Sequence, residues 1–541
     1  MLQKVHDMFS HPKIGFVLIL FYVVIGLFIA GDYGSFTDEE MEWNTGDVNY
    51  KYIMGFFMDF SKSNDDVKIF MAGVPELKDW VDRYYGAALQ FPLILIEHIN
   101  DFKIPPYQVI LMRHNYNFLN YALGALCFFI ILRKRYTDSP IAFFGTLMYI
   151  LYPRFFAEAF YNNKDILFFS WYSISVLFAL NYLEKPNWIR MLLFAAIAAI
   201  CTNVRILGIS IVALVIVYIL FYIYKERKSV KQVFLTCIPL LFCYFIFYVI
   251  ITPVTWENPI KAITDIFFYF LHYKGWDGAH FYLGEMIGKD VPWHYIPVWM
   301  GVSVPIIYQI LFVVGSITVA AAIMNKKTTR NEKMYDSFFM LLFFLSLFGF
   351  IGLRIHMYEG WRHVYFIFCP FLYLAARGIH QIYSVARKYS SSSKLQIASV
   401  LFYGFFSAYM IILGSWIVQN HPYQYVYFNR IARPYAEENF TLDYWHVATA
   451  DIVREMLRLE KRPQIVVGFS SMFAVQSLLI LTPEERYRIL VKDKPHYHYF
   501  IFSSREYNGR INIEGYQKVF NITVDGCEIG SLFRRVSQEP L

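Results

Sequence analysis

IGFVLILFYVVIGLFIAGDYGSFTDEEMEWNTGDVNY, residues 14–50, sets an unbroken apolar run directly against an acid-rich segment. The apolar part, 14–31, is long enough for a helix to cross a bilayer, which takes roughly 17 to 25 residues. The part that follows holds Asp38, Glu39 and Glu40 in succession. Carboxylates beside a membrane surface are either a solvated collar or a working site where lipid-borne and water-borne reactants meet. The basic flank MLQKVHDMFSHPK resembles the start of a signal peptide, but no small-residue cleavage site precedes Gly31. A retained first helix is expected.

Working outward, the same apolar character recurs along the chain. Of 541 residues, 57% are apolar, 20% aromatic and only 17% charged, far from the balance of a soluble globular protein. About eleven spans of bilayer length are expected, near 14–31, 109–132, 140–157, 166–183, 189–204, 206–223, 232–252, 303–324, 337–353, 364–380 and 396–418. The fifth and sixth are separated by little more than Arg205. The chain is therefore expected to be a polytopic α-helical membrane protein.

The net charge of +7 comes from short basic clusters between spans rather than from one basic face, which argues against nucleic acid as a partner. With a cytoplasmic N-terminus, alternate loops carry Arg133, Lys134 and Arg135; Lys185 and Arg190; Lys225, Arg227, Lys228 and Lys231; Lys326, Lys327, Arg330 and Lys333; and Arg387, Lys388 and Lys394. That is the positive-inside pattern at every crossing. It puts the Asp38 segment and the C-terminal region outside.

Two long external segments are expected, 32–108 and 253–302. The first contains YYGAALQFPLILIEHI at 84–99, interrupted by Pro92 and closed by Glu97 and His98, which reads as an interfacial or re-entrant helix rather than a twelfth crossing. The second has a short amphipathic piece at 263–273. Beyond 420 the apolar spans stop, dividing the chain into a transmembrane module, 1–420, and a small extracytoplasmic α/β domain, 421–541. Helices are expected at 448–460 and 472–481, and strands at 464–469, 497–503, 516–524 and 529–535. That domain has no glycine-rich phosphate loop and no nucleophile elbow. Five of the six cysteines, all but Cys527, fall in or beside apolar spans, so no disulfide framework is proposed. Serines 390–393 read as a flexible cytoplasmic link.

Polar residues collect at the expected outer ends of the spans. Asn162, Asn163, Lys164 and Asp165 lie in AFYNNKDILFF, where Lys164 and Asp165 are either a self-satisfied surface pair or a phosphate-binding cation with a carboxylate to orient it. Arg205, in TNVRILGI, either snorkels from a helix end or faces the same cavity. Arg354, His356, Glu359, Arg362 and His363 crowd one outer helix junction. Guanidinium groups suit phosphate oxygens, and a neighbouring imidazole adds a donor. The separation of His356 from His363 matches no metal-ligand spacing.

The ordered motifs resemble those of the GT-C glycosyltransferases that use polyprenyl-phosphate-linked sugars, in particular the protein O-mannosyltransferase and lipid A aminoarabinose transferase group. They are Asp38-Glu39 after the first span, NNKD at 162–165, PWHYIP at 292–297, GWRHVYF at 360–366, HPYQYVYFN at 421–429 and DYW at 443–445. The resemblance implies a GT-C fold in a bacterial inner membrane and a polyprenyl-phosphate-sugar donor. It also implies a lipid, glycan or protein acceptor and inverting displacement. Asp38 matches the acidic general base of that group, with Glu39 as second choice. Lys164, Arg205, Arg362 and His363 are the expected donor-phosphate ligands. Asp165, Asn163, His294, Tyr295 and Glu359 are expected to line the cavity. A divalent metal is left open, with Asp38, Glu39 and Asp165 as possible ligands. The β-trefoil repeats of eukaryotic protein O-mannosyltransferases are missing from the C-terminal region. A polyprenyl-linked glycan transporter or flippase is the alternative, although its expected internal repeats and midplane charges are not seen in the sequence.

Overall fold

The computed structural model describes residues 9, 11–136, 140–227, 229–272, 278–388, 393–492, 497–504 and 511–536. Lys228, Tyr273 and serines 390–392 lie outside the described residues, as do the side chains of Arg387, Lys388 and Lys394.

The chain is a polytopic helical protein carrying a C-terminal α/β domain. Helix α1 (Pro12–Ile29) leads into α2 (Thr37–Met54), and a short α3 (Phe91–Ile99) precedes α4 (Pro106–Arg135). There follow α5 (Ile141–Ile150), α6 (Pro153–Tyr161), α7 (Asp165–Glu184), α8 (Trp188–Val204), α9 (Ile209–Lys225), α10 (Val230–Ile251) and α11 (Pro259–Leu271). A hairpin of β1 (His280–Tyr282) and β2 (Glu285–Ile287) separates these from α12 (Tyr295–Ser303), α13 (Ile306–Met324), α14 (Arg330–Gly352), α15 (Phe368–Lys388) and α16 (Ser393–Gln419).

Among the described residues, seven helical stretches are long and apolar enough to cross a membrane, fewer than the eleven spans expected. The difference has local causes. The span expected at 140–157 is two helices, because Tyr152 adopts an extended conformation before Pro153, as the residue before a proline tends to do. The span at 364–380 opens as a 3₁₀ turn, Arg362–Ile367, and its helix then carries Arg377 and His380. The span at 189–204 is the 17-residue α8, just under the length of those seven, whereas the stretch 84–99 yields the nine-residue α3, about 13 Å long at 1.5 Å per residue and in keeping with an interfacial or re-entrant piece rather than a crossing.

The bundle is held by close helix contacts and by one buried polar knot. Gly315 of α13 and Gly378 of α15 let the two backbones touch: a Cβ at Gly315 would lie 1.7 Å from the Leu374 carbonyl oxygen, and one at Gly378 2.1 Å from that of Leu311. Small residues serve this purpose where lipid supplies no hydrophobic drive between helices. At the C-terminal end of α4, Arg135 donates to Asp336 of α14 at 3.2 and 3.3 Å, and Tyr373 of α15 donates to the same carboxylate at 2.7 Å. The apolar faces of α1 and α10 stay exposed, with Phe28, Leu20, Phe234 and Phe242 pointing outward, as surfaces meeting lipid should.

The C-terminal domain packs α17 (Thr449–Leu459) on a five-stranded sheet of β3 (Ile465–Phe469), β4 (Ile489–Val491), β5 (Tyr499–Ser503), β6 (Tyr516–Val524) and β7 (Cys527–Arg535), ordered β4-β3-β5-β7-β6. β3 runs parallel to β4 and β5, while β7 is antiparallel to both of its neighbours. The turn Asp525–Gly526 has positive φ at both residues, the geometry that joins twisted antiparallel strands in two residues. The sequence reading of the strands holds, while β4 escaped it because three residues carry too little periodicity. The domain is tied to the bundle by Trp416 of α16, whose indole N–H donates to Asp525 at 3.1 Å; Arg433 binds the same carboxylate from within the domain.

Under α2 and α3 lies a buried acid with a stability consequence. The Asp47 carboxyl is pushed up to about 8, first by burial and then by Glu97, with Arg113 opposing. Arg113 itself is committed to Glu97 and Gln90, each at 2.8 Å. A carboxyl whose pKa is raised on folding holds a proton that the unfolded chain has lost, so stability falls as pH rises from the ordinary Asp range toward 8. At about 1.4 kcal/mol per pKa unit, the loss is on the order of a few kcal/mol. Asp47→Asn should therefore flatten the pH dependence of thermal unfolding in detergent between pH 5 and 8 and raise stability at the alkaline end. An unchanged slope would show that Asp47 is not the group responsible.

Candidate active site

The site is built around the first turns of α2. The helix begins at Thr37 with Phe36 as its cap, a residue that has no side-chain acceptor. Glu39 closes the turn instead: its Oε2 accepts the Phe36 N–H at 3.0 Å and its Oε1 meets His114 Nε2 at 3.0 Å. With both oxygens engaged and 1% exposure, Glu39 is a structural anchor rather than a cavity group. Successive helical residues are about 100° apart, so Asp38 and Glu42 share a face that Glu39 does not. That face looks onto the cations. Glu40, on another side, takes a hydrogen bond from Gln476 of the C-terminal domain.

The cations come from three separate helix ends. Lys164 is the residue before α7; it pairs with Glu42, and its ammonium lies 3.5 Å from the centroid of the Tyr85 ring. Arg205 ends α8 and pairs with Asp165. Arg362 opens the 3₁₀ turn and is 4% exposed. Its Nη1 donates to Asp38 Oδ2 at 2.7 Å and lies 3.5 Å from Asp165 Oδ2, while Nη2 donates to Tyr444 OH at 3.0 Å. The guanidinium is boxed by Tyr358, Tyr444 and Trp445 at 4.7 to 5.2 Å. Asp165 thus bridges two arginines, and Asp38 shares one of them.

Several polar atoms here lack partners among the described residues. Arg205 Nε, Arg362 Nε, His363 Nδ1 and Asn163 Oδ1 are all buried without a hydrogen bond. Burial, and then the charges of Arg362, Arg205 and Lys164, hold His363 neutral by driving its pKa far down. Asp82, in the loop before Tyr85, feels both Lys164 and Asp38, and burial raises its carboxyl.

A supporting layer fixes these groups. Glu359 and Gly360 both take positive φ, and the Gly360 N–H donates to Tyr295 OH at 3.0 Å, which aims the following Arg362 inward. Beneath it, Glu158 accepts from Asn162, Trp445 and Tyr365 at 2.8 to 3.1 Å. Asn162 in turn caps Asp165 N–H at 2.8 Å.

The structure therefore gathers Asp38, Lys164, Asp165, Arg205, Arg362 and His363 into one cluster, with Asn163, Tyr295 and Glu359 beside it. His294 sits apart, 2.7 Å from Tyr282 OH. Arg354 is exposed, and His356 faces Asp290 at 3.4 Å. Sequence reading gave no role to Glu42, Asp82 or Tyr85, and took Tyr444 only as part of DYW. Of these, Glu42 was detectable, standing four residues after Asp38 on a helix. Among the described residues no group of three or more His, Cys, Asp or Glu could hold a metal ion. The Arg362 guanidinium occupies the space between Asp38 and Asp165, so the carboxylates present do not fit a shared divalent ion.

Fold and cluster together define a polytopic membrane protein with an ion-paired polar site at one end of its helical bundle, partly roofed by its C-terminal domain. No protein-family model matches the chain, and no curated protein matches it. Among solved structures it is similar to the crystal structure of ArnT from Cupriavidus metallidurans bound to undecaprenyl phosphate, at 11% identity and a TM-score of 0.45, covering 96% of this chain and 98% of that one. It is also similar to the same protein's apo-state structure, at 11% identity and a TM-score of 0.47, covering 95% and 97%.

Proposed function

We propose that the protein is an integral membrane glycosyltransferase. It moves a sugar from a polyprenyl-phosphate-linked donor to a hydroxyl of a lipid, glycan or protein acceptor, on the extracytoplasmic face of a bacterial inner membrane. The observation that carries this reading is that Arg362 Nε, Arg205 Nε and His363 Nδ1, all buried and unpartnered among the described residues, belong to one ion-paired cluster. Each buried group left unpaired costs about 1 to 3 kcal/mol. A phosphate offers several oxygens to repay that cost at once, and guanidinium groups suit it in shape and charge.

In this reading Arg362, Arg205, Lys164 and His363 hold the donor phosphate. Asp38 takes the proton of the acceptor hydroxyl as its oxygen bonds to the anomeric carbon. The bond from that carbon to the phosphate oxygen breaks, its electron pair leaves with the polyprenyl phosphate, and configuration inverts. The cations stabilise the charge that develops on the leaving group. Asp165 keeps the two arginines aligned. Glu39 has a positioning role, because its oxygens are already used.

The test uses the full chain in nanodiscs. Binding of a polyprenyl phosphate should be at least tenfold tighter than binding of the matching polyprenol, and radiolabel should pass from a polyprenyl-phosphate sugar to acceptor in membranes. Equal affinity for the two lipids would remove the phosphate site. Movement of intact donor across the bilayer without sugar transfer would favour a flippase.

A further inference from the structure

His280 is a buried imidazole that the reaction above does not use. It is 2% exposed, and neither ring nitrogen has a partner among the described residues. It sits at the start of β1, opposite Ile287, on a hairpin whose two-residue turn, Leu283–Gly284, has positive φ at both positions. Such turns fix register tightly, so the placement of His280 is set by the backbone.

The hairpin is fastened to the site from two directions. On one side the His280 ring meets Tyr295 at 5.4 Å, and the Tyr295 hydroxyl receives the Gly360 N–H two residues before Arg362. On the other, the Thr441 N–H donates to the Phe281 carbonyl at 3.2 Å and the Phe281 N–H donates to the Thr441 hydroxyl at 3.3 Å, three residues before the Tyr444 that binds Arg362. His280 also lies near enough to His363 to disfavour its protonation. The imidazole therefore borders the ion-paired cluster.

Its chemistry is distinct from that of its neighbours. Burial holds His280 down at about 4, so the ring is neutral, with one donor nitrogen and one acceptor nitrogen. An anion has no use for the acceptor, and the arginines already supply donors. A hydroxyl both gives and accepts a hydrogen bond, and a sugar presents several.

We propose that His280 is a specificity-determining residue that hydrogen-bonds a hydroxyl of the transferred sugar, letting the site tell a glycosylated polyprenyl phosphate from the bare lipid. This rests on the glycosyltransferase reading and adds the part of the donor that the phosphate ligands do not read.

The experiment measures affinity of the full chain in nanodiscs for a bare polyprenyl phosphate and for its mannosyl, glucosyl and arabinosyl forms. Wild type is compared with His280→Ala, His280→Phe and His280→Asn. Wild type should prefer at least one glycosylated lipid. In His280→Ala and His280→Phe that preference should fall about tenfold, the worth of one hydrogen bond of average strength, while affinity for the bare lipid stays within about twofold. His280→Asn, which keeps a donor and an acceptor, should retain part of the preference. His280→Phe should melt no lower than wild type without ligand, since it removes two unpaired polar atoms from a buried place. Undiminished preference in Ala and Phe variants, or no preference in wild type, would overturn the proposal. Failure of wild type to bind bare polyprenyl phosphate would instead bring down the glycosyltransferase reading, and this inference with it.

Discussion

Arg362→Ala is expected to weaken binding of polyprenyl phosphate by at least a hundredfold, the largest loss in donor affinity of any single change in the site. Arg362 reaches Asp38, Asp165 and Tyr444 with its two terminal nitrogens and still has a buried Nε to offer. A phosphate entering beside it would take the place Asp38 now holds, while Asp165 and Tyr444 keep the guanidinium aimed. Removing the charge also leaves Asp165 with one arginine in a buried setting, and breaking a buried pair costs about 3 to 5 kcal/mol. A lower melting temperature is therefore expected alongside the binding loss. Arg362→Lys separates the two effects: it keeps a charge for Asp165 but loses the planar fork. It should fold near wild type and still bind donor tenfold or more weakly. A folded Arg362→Lys variant with unchanged affinity would take Arg362 out of the phosphate site.

The outline of this site could be read from sequence because lipid penalises charge. Lys164, Asp165, Arg205 and Arg362 stand out as charges at the ends of apolar spans, and each of them is in the cluster. What sequence could not supply was orientation within α2. Ser35 to Asp38 and Thr37 to Glu40 both match the spacing of a capping box, yet the helix is capped at Phe36 and closed by Glu39. A shift of one residue would have exchanged the environments of Asp38 and Glu39.

Groups that arrive from far along the chain were equally hidden. Asp38 and Arg362 are 324 positions apart. Tyr444 was visible within DYW, but nothing in that motif says that its hydroxyl meets a guanidinium. His280, in a short hairpin between helices, offered no periodicity to notice. The difference between eleven expected spans and seven helices of full crossing length among the described residues has a related reason. Hydropathy over a window does not register the extended residue before Pro153 that divides one expected span into two helices.

The C-terminal domain also changes meaning. The sequence marks it only as a small extracytoplasmic α/β domain with no assigned role, whereas Gln476 reaches Glu40, Tyr444 reaches Arg362 and Trp445 reaches Glu158. The 421–541 region thus places Tyr444 and Trp445 against the site and holds the first turn of α2 from another side through Gln476. Removing 421–541 would strip Arg362 of its hydroxyl partner and two of its three flanking rings, so the bundle alone does not contain the whole site.

Asp38→Asn should leave donor affinity within a few fold of wild type and lower the rate of sugar transfer by roughly 10²- to 10⁴-fold, the range expected for loss of a general base. Asparagine keeps an oxygen that can accept the 2.7 Å hydrogen bond from Arg362, so the phosphate ligands should keep their places. What it loses is the capacity to take a proton. Asp38 suits that task among the acids of α2: its side chain is 31% exposed, whereas Glu39 is closed in by Phe36 and His114 and Glu42 is paired with Lys164. On the proposed mechanism the pair with Arg362 would add an order to the reaction. Asp38 would stay occupied by Arg362 until phosphate drew on the guanidinium, and its carboxylate would then be released toward the acceptor. Glu39→Gln provides the contrast, with a lower melting temperature and a change in transfer rate below about tenfold, because its part is to hold the turn. Single-turnover transfer at saturating donor measures both variants on one scale. Wild-type rates in Asp38→Asn would end the case for Asp38 as the base and turn attention to Asp82, a partly exposed carboxyl that feels both Lys164 and Asp38.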